Sequence, residues 1–235
     1  MDDLDTNNYR VEVLPDDFNI YDLSFKIIII GDSGVGKSCL TLKATKDYFE
    51  EYYTATVGFE FFNFNVKIDG KYIKLQIWDT CGQEIYRSLI YSFYRNSSLA
   101  MMVYSIDSLD SFDHITSWLN EVKTQSNPDV KIFLVGNKAD LEDKRRVTKE
   151  MADKFCDENK LDFCMETSAK SGFNAKNIFV EAAKVLYAKH LRFKERASAA
   201  LPQEPKVKLP QPKSLSAKRI NDEKIERRQD GGGCC

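Results

Sequence analysis

The order of hydrophobic and polar residues changes period along the chain, and each change predicts a different element. Phe25–Ile30 is a short, mostly apolar run, which is typical of a strand buried on both faces. Phe59–Ile68 instead has largely every second residue apolar, as a half-buried strand does. Asp69-Gly70 is a strong turn signal, and Lys71–Trp78 follows it as the partner strand. We therefore expect these two strands to form an antiparallel hairpin.

The region after the hairpin alternates strands with helices. Apolar residues at helical spacing, with Asp107 or Ser108 as the cap, predict a helix through Phe112, Ile115, Leu119 and Val122. The other predicted elements are the strands 99–106, 131–135 and 162–167 and the helices 147–158 and 174 to about 191. This order predicts an α/β domain with a six-stranded, mostly parallel sheet, one antiparallel edge hairpin and helices on both faces. Such sheets bind ligands at the carboxyl ends of their strands.

The two ends of the chain differ from this alternating region, which we place at residues 23–192. Residues 1–22 are polar, acidic at the start and without a clear period, so we expect a flexible extension. Residues 193–235 contain four prolines and few large apolar side chains, which favours a disordered tail. Between residues 192 and 233 there are eleven Lys and Arg against six Asp and Glu, so the tail is locally basic.

Composition excludes several classes of protein. The net charge of −2 gives no general attraction to nucleic acid, and we expect no nucleic-acid partner. No apolar run approaches the ~20 residues of a membrane span, and the acidic N-terminus does not resemble a secretory signal. Four of the six cysteines are scattered singly and two end the chain, which fits neither a disulfide framework nor a zinc site. We therefore expect a reducing, cytosolic compartment.

Gly31–Ser38 fit the phosphate-binding pattern G-x-x-x-x-G-K-[ST]. The run lies between a predicted strand and a predicted helix, which makes a chance match in a glycine turn the weaker interpretation. In such a loop the backbone N–H groups point at phosphate oxygens, while Lys37 reaches the β- and γ-phosphates and the Ser38 hydroxyl ligates Mg²⁺. The predicted phosphate site comprises Ser33, Gly34, Val35, Gly36, Lys37, Ser38 and Cys39.

A second motif, Asp79-Thr80-Cys81-Gly82-Gln83, follows the end of the hairpin. The Asp79 carboxylate is placed to hold the metal through a bound water, and the Gly82 N–H to approach a γ-phosphate. Gln83 is placed to orient a water for in-line attack, so it is the predicted catalytic residue. The pattern is weak alone, but it gains weight from its position after the phosphate loop.

Two further motifs predict recognition of guanine. Asp140, in Asn137-Lys138-Ala139-Asp140, can accept hydrogen bonds from N1–H and the 2-amino group of guanine, which adenine lacks. Asn137 is expected to brace the loop and Lys138 to lie along the purine face. The Ala169 N–H, flanked by Ser168 and Lys170 after the last predicted strand, can donate to guanine O6.

With these four motifs in register, the chain resembles the small GTPases of the Ras superfamily over about residues 25–191, and more narrowly the Rab proteins. The Rab-like segments are Thr56–Phe61, Lys74–Thr80, Phe93–Arg95 and the terminal Cys234-Cys235. The resemblance implies the G domain of the P-loop NTPases. It also implies a switch that binds GTP with Mg²⁺, hydrolyses it slowly without an activating protein, and regulates vesicle-mediated membrane traffic.

The resemblance also assigns roles to residues that the motifs leave open. It implies that Thr56 binds the metal and the γ-phosphate, and that Phe49 packs on the guanine face. It implies an effector surface at Phe61, Trp78 and Phe93, for which ordinary core packing is the alternative. It further implies that prenyl groups on Cys234 and Cys235 anchor the protein to a membrane.

The expected partners follow from the same resemblance. They are guanine nucleotides, effectors, an exchange factor, an activating protein, prenyl-escort and dissociation-inhibitor proteins, and a membrane reached through the lipid anchor. The expected location is the cytoplasmic face of an intracellular membrane, with a soluble cytosolic pool.

Several residues depart from the family pattern. Cys81 replaces the usual alanine, Phe59-Glu60 replaces Val-Asp, Ile85-Tyr86 replaces Arg-Phe, and Asn96-Ser97 replaces Gly-Ala. Cys81 is expected close to the metal and the γ-phosphate. It supports an alternative function, a platform that holds GTP, hydrolyses it slowly or not at all, and recruits effectors to a membrane.

Overall fold

A computed structural model describes residues 8–51, 56, 58–81 and 93–200 of the chain. The described strands are β1 Val11–Leu14, β2 Leu23–Ile30, β3 Phe59–Ile68, β4 Lys71–Thr80, β5 Leu99–Ser105, β6 Lys131–Asn137 and β7 Phe163–Glu166. The described α-helices are α1 Lys37–Lys46, α2 Leu109–Asp113, α3 Ile115–Gln125, α4 Lys149–Asn159 and α5 Asn177–Ala200.

The strands form one sheet in the order β1-β3-β4-β2-β5-β6-β7. Pairing is parallel from β4 through β2, β5 and β6 to β7, and antiparallel between β3 and β4 and between β1 and β3. The predicted hairpin is present: Ile68 lies opposite Lys71, and Asp69 and Gly70 both have positive φ, at 48° and 83°. The mostly parallel α/β fold is therefore confirmed.

Helices cover both faces of the sheet, and β2 shows how one sequence run supplies both cores. Ile27 and Ile29 belong to a cluster with Phe179 of α5, whereas Ile28 and Ile30 belong to one with Trp118 of α3. All four isoleucines have no exposed surface. This continuous apolar run is what a central parallel strand requires, and it fixes the loop that follows Ile30 at the carboxyl edge of the sheet.

The N-terminal segment corrects the prediction in two ways. The sheet has seven strands rather than six, because Val11–Leu14 pair antiparallel with β3. Residues 8–22 are therefore not simply an extension beside the domain: Asn65 Nδ2 donates to the carbonyl oxygens of Pro15 and Asp16, at 2.9 and 3.2 Å. The four-residue strand lies among polar residues and is too short to show a clear period, so the pattern did not reveal it.

Two helices differ from their predicted bounds. The predicted helix through residues 112–122 is divided at His114 into α2 and α3, and Ser108 is the cap, its side chain accepting from the Ser111 N–H. The last helix continues to Ala200, beyond the predicted boundary at residue 193. Residues 193–199 are exposed, but they are mostly good helix formers and no proline interrupts them. Residues 201–235 lie outside the described residues.

None of the helices in the described part of the chain combines the length and the apolar character that crossing a lipid bilayer demands.

Candidate functional site

Loops at the carboxyl edge of the sheet surround a cavity of about 450 Å³. These loops come from separate stretches of sequence, which the motifs predicted to form one nucleotide site. The predicted residues that line the cavity are Ser33, Gly34, Gly36, Lys37, Ser38, Cys39, Phe49, Thr56, Asn137, Lys138, Asp140, Ala169 and Lys170. Val35 is not among the lining residues, because its side chain is buried in the core beneath the loop.

Two glycines let the phosphate-binding loop approach its neighbours closely. A Cβ on Gly31, where φ is 139°, would lie 2.1 Å from the carbonyl oxygen of Val103 in β5. A Cβ on Gly36, where φ is 93°, would lie 2.5 Å from the side-chain nitrogen of Asn137. Any other residue would therefore displace the loop from β5 or from Asn137.

The Lys37 ammonium lies inside this loop and donates to the carbonyl oxygens of Gly31 and Asp32, at 2.9 and 2.8 Å. The residue is only 5% exposed. Burial lowers the pKa of Lys37, and the nearby carboxylate of Asp79 acts against that shift. A buried cation held mainly by neutral carbonyl groups gains free energy from an anion, which is the chemistry of a phosphate site.

Ser38, Thr56 and Asp79 meet at one end of the cavity. The Ser38 hydroxyl donates to Asp79 Oδ2, and its oxygen lies 2.6 Å from Thr56 Oγ1. Asp79 has no exposed surface, and its Oδ1 has no hydrogen-bond partner within the described ranges. Burial raises the pKa of Asp79 to about 7, against the Ser38 hydrogen bond and the charge of Lys37.

This donor set fits a hard divalent cation. Two hydroxyls and a carboxylate offer only oxygen ligands, which Mg²⁺ prefers. A cation there would also supply the counter-charge that Asp79 needs, and a water bound to it would supply the hydrogen bond that Asp79 Oδ1 lacks. Ser38, Thr56 and Asp79, the three predicted metal ligands, are far apart in the sequence but adjacent in the fold.

Asn137 joins the two halves of the cavity. Its side-chain nitrogen donates to the carbonyl oxygens of Val35 and Gly36, at 2.9 and 3.3 Å. Its side-chain oxygen accepts from the Thr167 hydroxyl at 3.2 Å and from the Ala169 N–H at 3.3 Å. One buried amide therefore links the phosphate loop to the segment after β7, which is the bracing that the motif predicts.

The predicted base-binding residues lie beyond Asn137. Asp140 is exposed, and its Oδ1 accepts from the Ser168 hydroxyl at 2.5 Å. Lys138 adopts a left-handed conformation, with φ of 64°. The Ala169 N–H already makes the long bond to Asn137, so a carbonyl group such as guanine O6 must share or replace that bond.

Exposed charges mark the mouth of the cavity on the base side. Lys170 Nζ lies 2.8 Å from Glu51 Oε1, and both side chains are more than half exposed. Phe49 also lines the cavity and packs partly against the core. The ion pair with Glu51 therefore joins Lys170 to the chain segment that contains Phe49.

Sequence reasoning missed two sets of contacts that support the site. Asp32, inside the phosphate loop, accepts from Trp118 Nε1 at 2.9 Å and lies 2.6 Å from His114 Nδ1. Arg145 makes a double hydrogen bond to the Glu166 carboxylate, at 2.6 and 3.0 Å, immediately before the Thr167–Lys170 segment. No local pattern reveals these pairs, because the partners are far apart in sequence.

The predicted effector residues form part of an aromatic surface. Trp78 lies between Phe61 and Phe93, with ring centroids 5.2 and 5.0 Å away, and Phe59 lies 4.6 Å from Phe93. Phe59 and Phe61 are 42% and 45% exposed, so core packing does not account for both. Lys26 Nζ lies 5.3 Å from the Trp78 ring centroid, within cation–π range.

Some predicted site residues lie outside the described residues. They are the catalytic candidate Gln83, its neighbour Gly82, and the lipid-attachment candidates Cys234 and Cys235. Cys81, at the border of that segment, is buried and its backbone N–H donates to the Gly58 carbonyl oxygen at 3.0 Å.

Comparison with protein-family models gives a match to the Ras family over residues 26–188. The match covers well over half of the 235 residues and includes every predicted nucleotide-binding residue. Members of this family are small GTP-binding switches, generally hydrolyse GTP and typically bind Mg²⁺. The phosphate-loop geometry, the oxygen ligand set and the matched family agree, and the chain belongs to the Ras family of small GTPases.

Proposed function

We propose that this protein is a Rab-type GTPase that regulates vesicle-mediated membrane traffic. The observation that carries the nucleotide part is the single cavity lined by Lys37, Ser38 and Thr56 at one end and by Asp140 and Ala169 at the other. Phosphate and metal chemistry at one end and guanine chemistry at the other fit one ligand, a guanine nucleotide.

The phosphate end determines how tightly the nucleotide is held. Lys37 and the backbone N–H groups of its loop bind the phosphates, while Ser38, Thr56 and Asp79 hold Mg²⁺. The metal, when bound, neutralises charge on the phosphate oxygens. Thr56 is the residue that senses the γ-phosphate, because it lies against Ser38 yet belongs to the loop before β3. Loss of the γ-phosphate on hydrolysis releases that loop, which is the switch.

Hydrolysis depends on Gln83, which orients the attacking water. Neither the phosphate loop nor residues 49–58 contain an arginine that could stabilise the transition state from within the chain. We therefore expect slow intrinsic turnover that an activating protein accelerates.

Effector recognition is assigned to the aromatic surface. Phe61, Trp78 and Phe93 lie beside the end of β4, where Asp79 and Cys81 lead into the segment that contains Gln83. Partly exposed aromatic rings at such a place favour recognition of a protein partner. The segment after β4 thus connects the bound nucleotide with the surface that effectors bind.

Membrane attachment is assigned to the tail. Two prenyl groups on Cys234 and Cys235 satisfy the two-signal requirement for stable anchoring, and the basic residues upstream add attraction to an anionic cytoplasmic leaflet. Escort and dissociation-inhibitor proteins then supply the cytosolic pool. The proposed location is the cytoplasmic face of an intracellular membrane.

A second function is favoured by one observation. Cys81 is buried and its N–H is bonded to Gly58, directly before Gly82 and Gln83. If the thiol prevents Gln83 from orienting water, the protein is a GTP-bound platform rather than a cycling switch.

Single-turnover hydrolysis of bound GTP distinguishes the two functions. We expect wild-type protein to hydrolyse GTP measurably, Gln83→Leu to slow the reaction, and Cys81→Ala to retain GTP binding. Equal rates for wild type and Gln83→Leu would favour the platform. Membrane fractionation and mass spectrometry of the C-terminal peptide test the anchor, and an unmodified peptide from membrane-bound protein would contradict it.

A further inference from the structure

A carboxylate inside the phosphate loop is held by two side chains from the helices beside it. Asp32 Oδ1 accepts a hydrogen bond from Trp118 Nε1 at 2.9 Å, and Asp32 Oδ2 lies 2.6 Å from His114 Nδ1. Trp118 is buried in α3, and His114 is the residue at which α2 ends and α3 begins. No nucleotide motif includes His114 or Trp118, and neither residue lines the cavity.

The start of α3 brings the two donors to the same side of the helix. His114 and Trp118 are four residues apart, and the Trp118 N–H donates to the His114 carbonyl oxygen at 3.2 Å, so their side chains lie on one face. The indole ring packs in the cluster that contains Ile28 and Ile30 of β2, the strand that leads into the phosphate loop. The core, and not the loop, therefore fixes the position of Trp118.

Asp32 connects these donors to the phosphate end of the cavity. Its carboxylate is held from α3, while its main-chain carbonyl oxygen accepts from Lys37 Nζ at 2.8 Å. The preceding residue, Gly31, also accepts from Lys37 and lies so close to Val103 that a Cβ would not fit. A displacement of Asp32 would therefore move one of the two carbonyl groups that orient the Lys37 ammonium.

We propose that Trp118 and His114 are positioning residues that act through Asp32 to hold the phosphate loop in the shape that retains bound GDP. Release of the nucleotide requires local opening of the loop, and contacts that restrain the loop slow that opening. The inference rests on the guanine-nucleotide part of the proposed function and does not depend on the role in membrane traffic.

The two donors differ in strength because they differ in burial. Trp118 is 3% exposed, so loss of its partner would leave a buried N–H unpaired, and hydrogen bonds to a charged acceptor are the stronger kind. The side chains of His114 and Asp32 are 61% and 25% exposed, so water weakens their pair. We expect Trp118→Phe to speed GDP release about tenfold, and His114→Gln about two- to fivefold where the histidine is charged.

The charge of His114 makes its share of the effect depend on pH. In the described part of the chain, Asp32 acts on the imidazole from the phosphate loop, and Asp110 and Asp113 act on it from α2. The hydrogen bond to Asp32 is the main cause that raises the pKa of His114. The nearby cation is Lys37, which interacts with the same Asp32. His114 is therefore charged at about pH 6, and its hold on Asp32 weakens as the pH rises through the raised pKa.

Release of a fluorescent GDP analogue from the full chain, with Mg²⁺ present, tests the action through Asp32. Rates are compared for Trp118→Phe and His114→Gln in the wild-type background and in an Asp32→Ala background. We expect Asp32→Ala alone to release GDP at least as fast as either variant, and each further change to add less than about twofold. Loss of packing around the indole ring would instead add in full.

The pH profile isolates the histidine. The rate for His114→Gln, divided by the wild-type rate, should be about two- to fivefold at about pH 6 and should approach one at about pH 9. The ratio removes the titration of GDP and of Asp79, which both proteins share. The chain has one other histidine. His190→Gln should release GDP as wild type does at both pH values, because His190 packs beside Phe25 in another part of the domain.

A conservative change at Asp32 gives a test that does not depend on replacing the buried Trp118. The amide oxygen of Asp32→Asn can still accept from Trp118 Nε1, but the amide carries no charge for His114. We expect Asp32→Asn to release GDP more slowly than Asp32→Ala and to abolish the effect of pH on the His114→Gln ratio.

Four results would overturn the inference. They are release at the wild-type rate from Trp118→Phe, an effect of Trp118→Phe that is equally large in the Asp32→Ala background, equal rates for Asp32→Asn and Asp32→Ala, and a His114→Gln ratio that does not change with pH. Each is measured on nucleotide-loaded protein. Failure of the wild type to bind GDP is thereby distinguished from them, because it would overturn the nucleotide assignment itself and the inference with it.

Discussion

The two ends of the nucleotide cavity differ in burial, although both lie at the carboxyl edge of one sheet. At the phosphate end Lys37, Ser38 and Asp79 are 5%, 7% and 0% exposed, whereas Asp140 and Lys170 at the base end are exposed. A buried charged group without its partner costs several kcal/mol, and an exposed one is solvated by water. The phosphate end should therefore determine affinity, and the base end should determine which nucleotide binds.

The largest effect is expected from Ser38→Asn, which removes the hydroxyl between Thr56 and Asp79. Loss of one partner at a buried charge costs ~3–5 kcal/mol, equivalent to at least about 100-fold in affinity. We expect that Mg²⁺ no longer slows nucleotide release from this variant. Stopped-flow release of a fluorescent GDP analogue, with Mg²⁺ or with a chelator, measures the effect.

The control for Ser38→Asn is Thr124→Asn, because Thr124 is exposed on α3, outside the cavity. It should behave as wild type in both conditions. If Ser38→Asn keeps the full dependence on Mg²⁺, Ser38 is not a metal ligand and the metal end is wrongly placed.

At the base end, Asp140→Asn should change specificity more than total affinity. The new amide can donate to the C2 carbonyl of xanthine, while it loses the acceptor that pairs with the guanine 2-amino group. We expect the preference for GDP over XDP to fall by about 100-fold or more, because a group that accepts both guanine hydrogen bonds is replaced by one that accepts one and donates one.

Competition between GDP and XDP for the same protein gives this ratio directly, and Asp143→Asn, an exposed acid outside the cavity, is the matched control. Equal loss of both nucleotides would show that Asp140 supports the fold of the loop instead of reading the base. Comparable affinity of the wild type for ATP and GTP would contradict guanine recognition altogether.

Asn137 links the phosphate end to the base end, so its replacement should weaken the binding of every nucleotide rather than change which base is preferred. Asn137→Ala removes the donor to Val35 and Gly36 and the acceptor for Thr167 and Ala169. Each buried group left unpaired costs ~1–3 kcal/mol. We expect faster release of GDP and XDP alike and a lower melting temperature.

Asn137→Asp serves as the comparison, since it keeps an oxygen for Thr167 and Ala169 but loses the donor to the phosphate loop. If only the donor matters, both variants should release nucleotide at the same rate. A change confined to the choice between GDP and XDP would place Asn137 in the base end alone.

The sequence predicted those parts of the fold and of the candidate site that depend on local spacing. The hairpin strand Phe59–Ile68 and the adjacent pair Ser38 and Asp79, the predicted oxygen ligands, were identified because a period or a motif marks each of them. Val11–Leu14 was missed because a four-residue strand beside polar residues has no readable period. His114 and Trp118 were missed as partners of Asp32 because 82 and 86 residues separate them, and only the packing of α2 and α3 beside the loop brings them close.

The smallest effect concerns His114, which holds the phosphate loop from its exposed side. Its hydrogen bond to Asp32, reinforced by the charge of that residue, raises the pKa of His114. Because the folded state binds the proton more tightly than the unfolded state, the pair contributes its full stability below about pH 6.5, and that contribution disappears as the pH rises through the raised pKa. His114→Gln should therefore lower the melting temperature at about pH 6 and have less effect at about pH 9. The loss should stay below ~1 kcal/mol, because the His114 side chain is 61% exposed and Trp118 still holds Asp32. His190→Gln is the control. A pH-independent loss for His114→Gln would mean that packing, and not the charged hydrogen bond to Asp32, accounts for the contribution of His114.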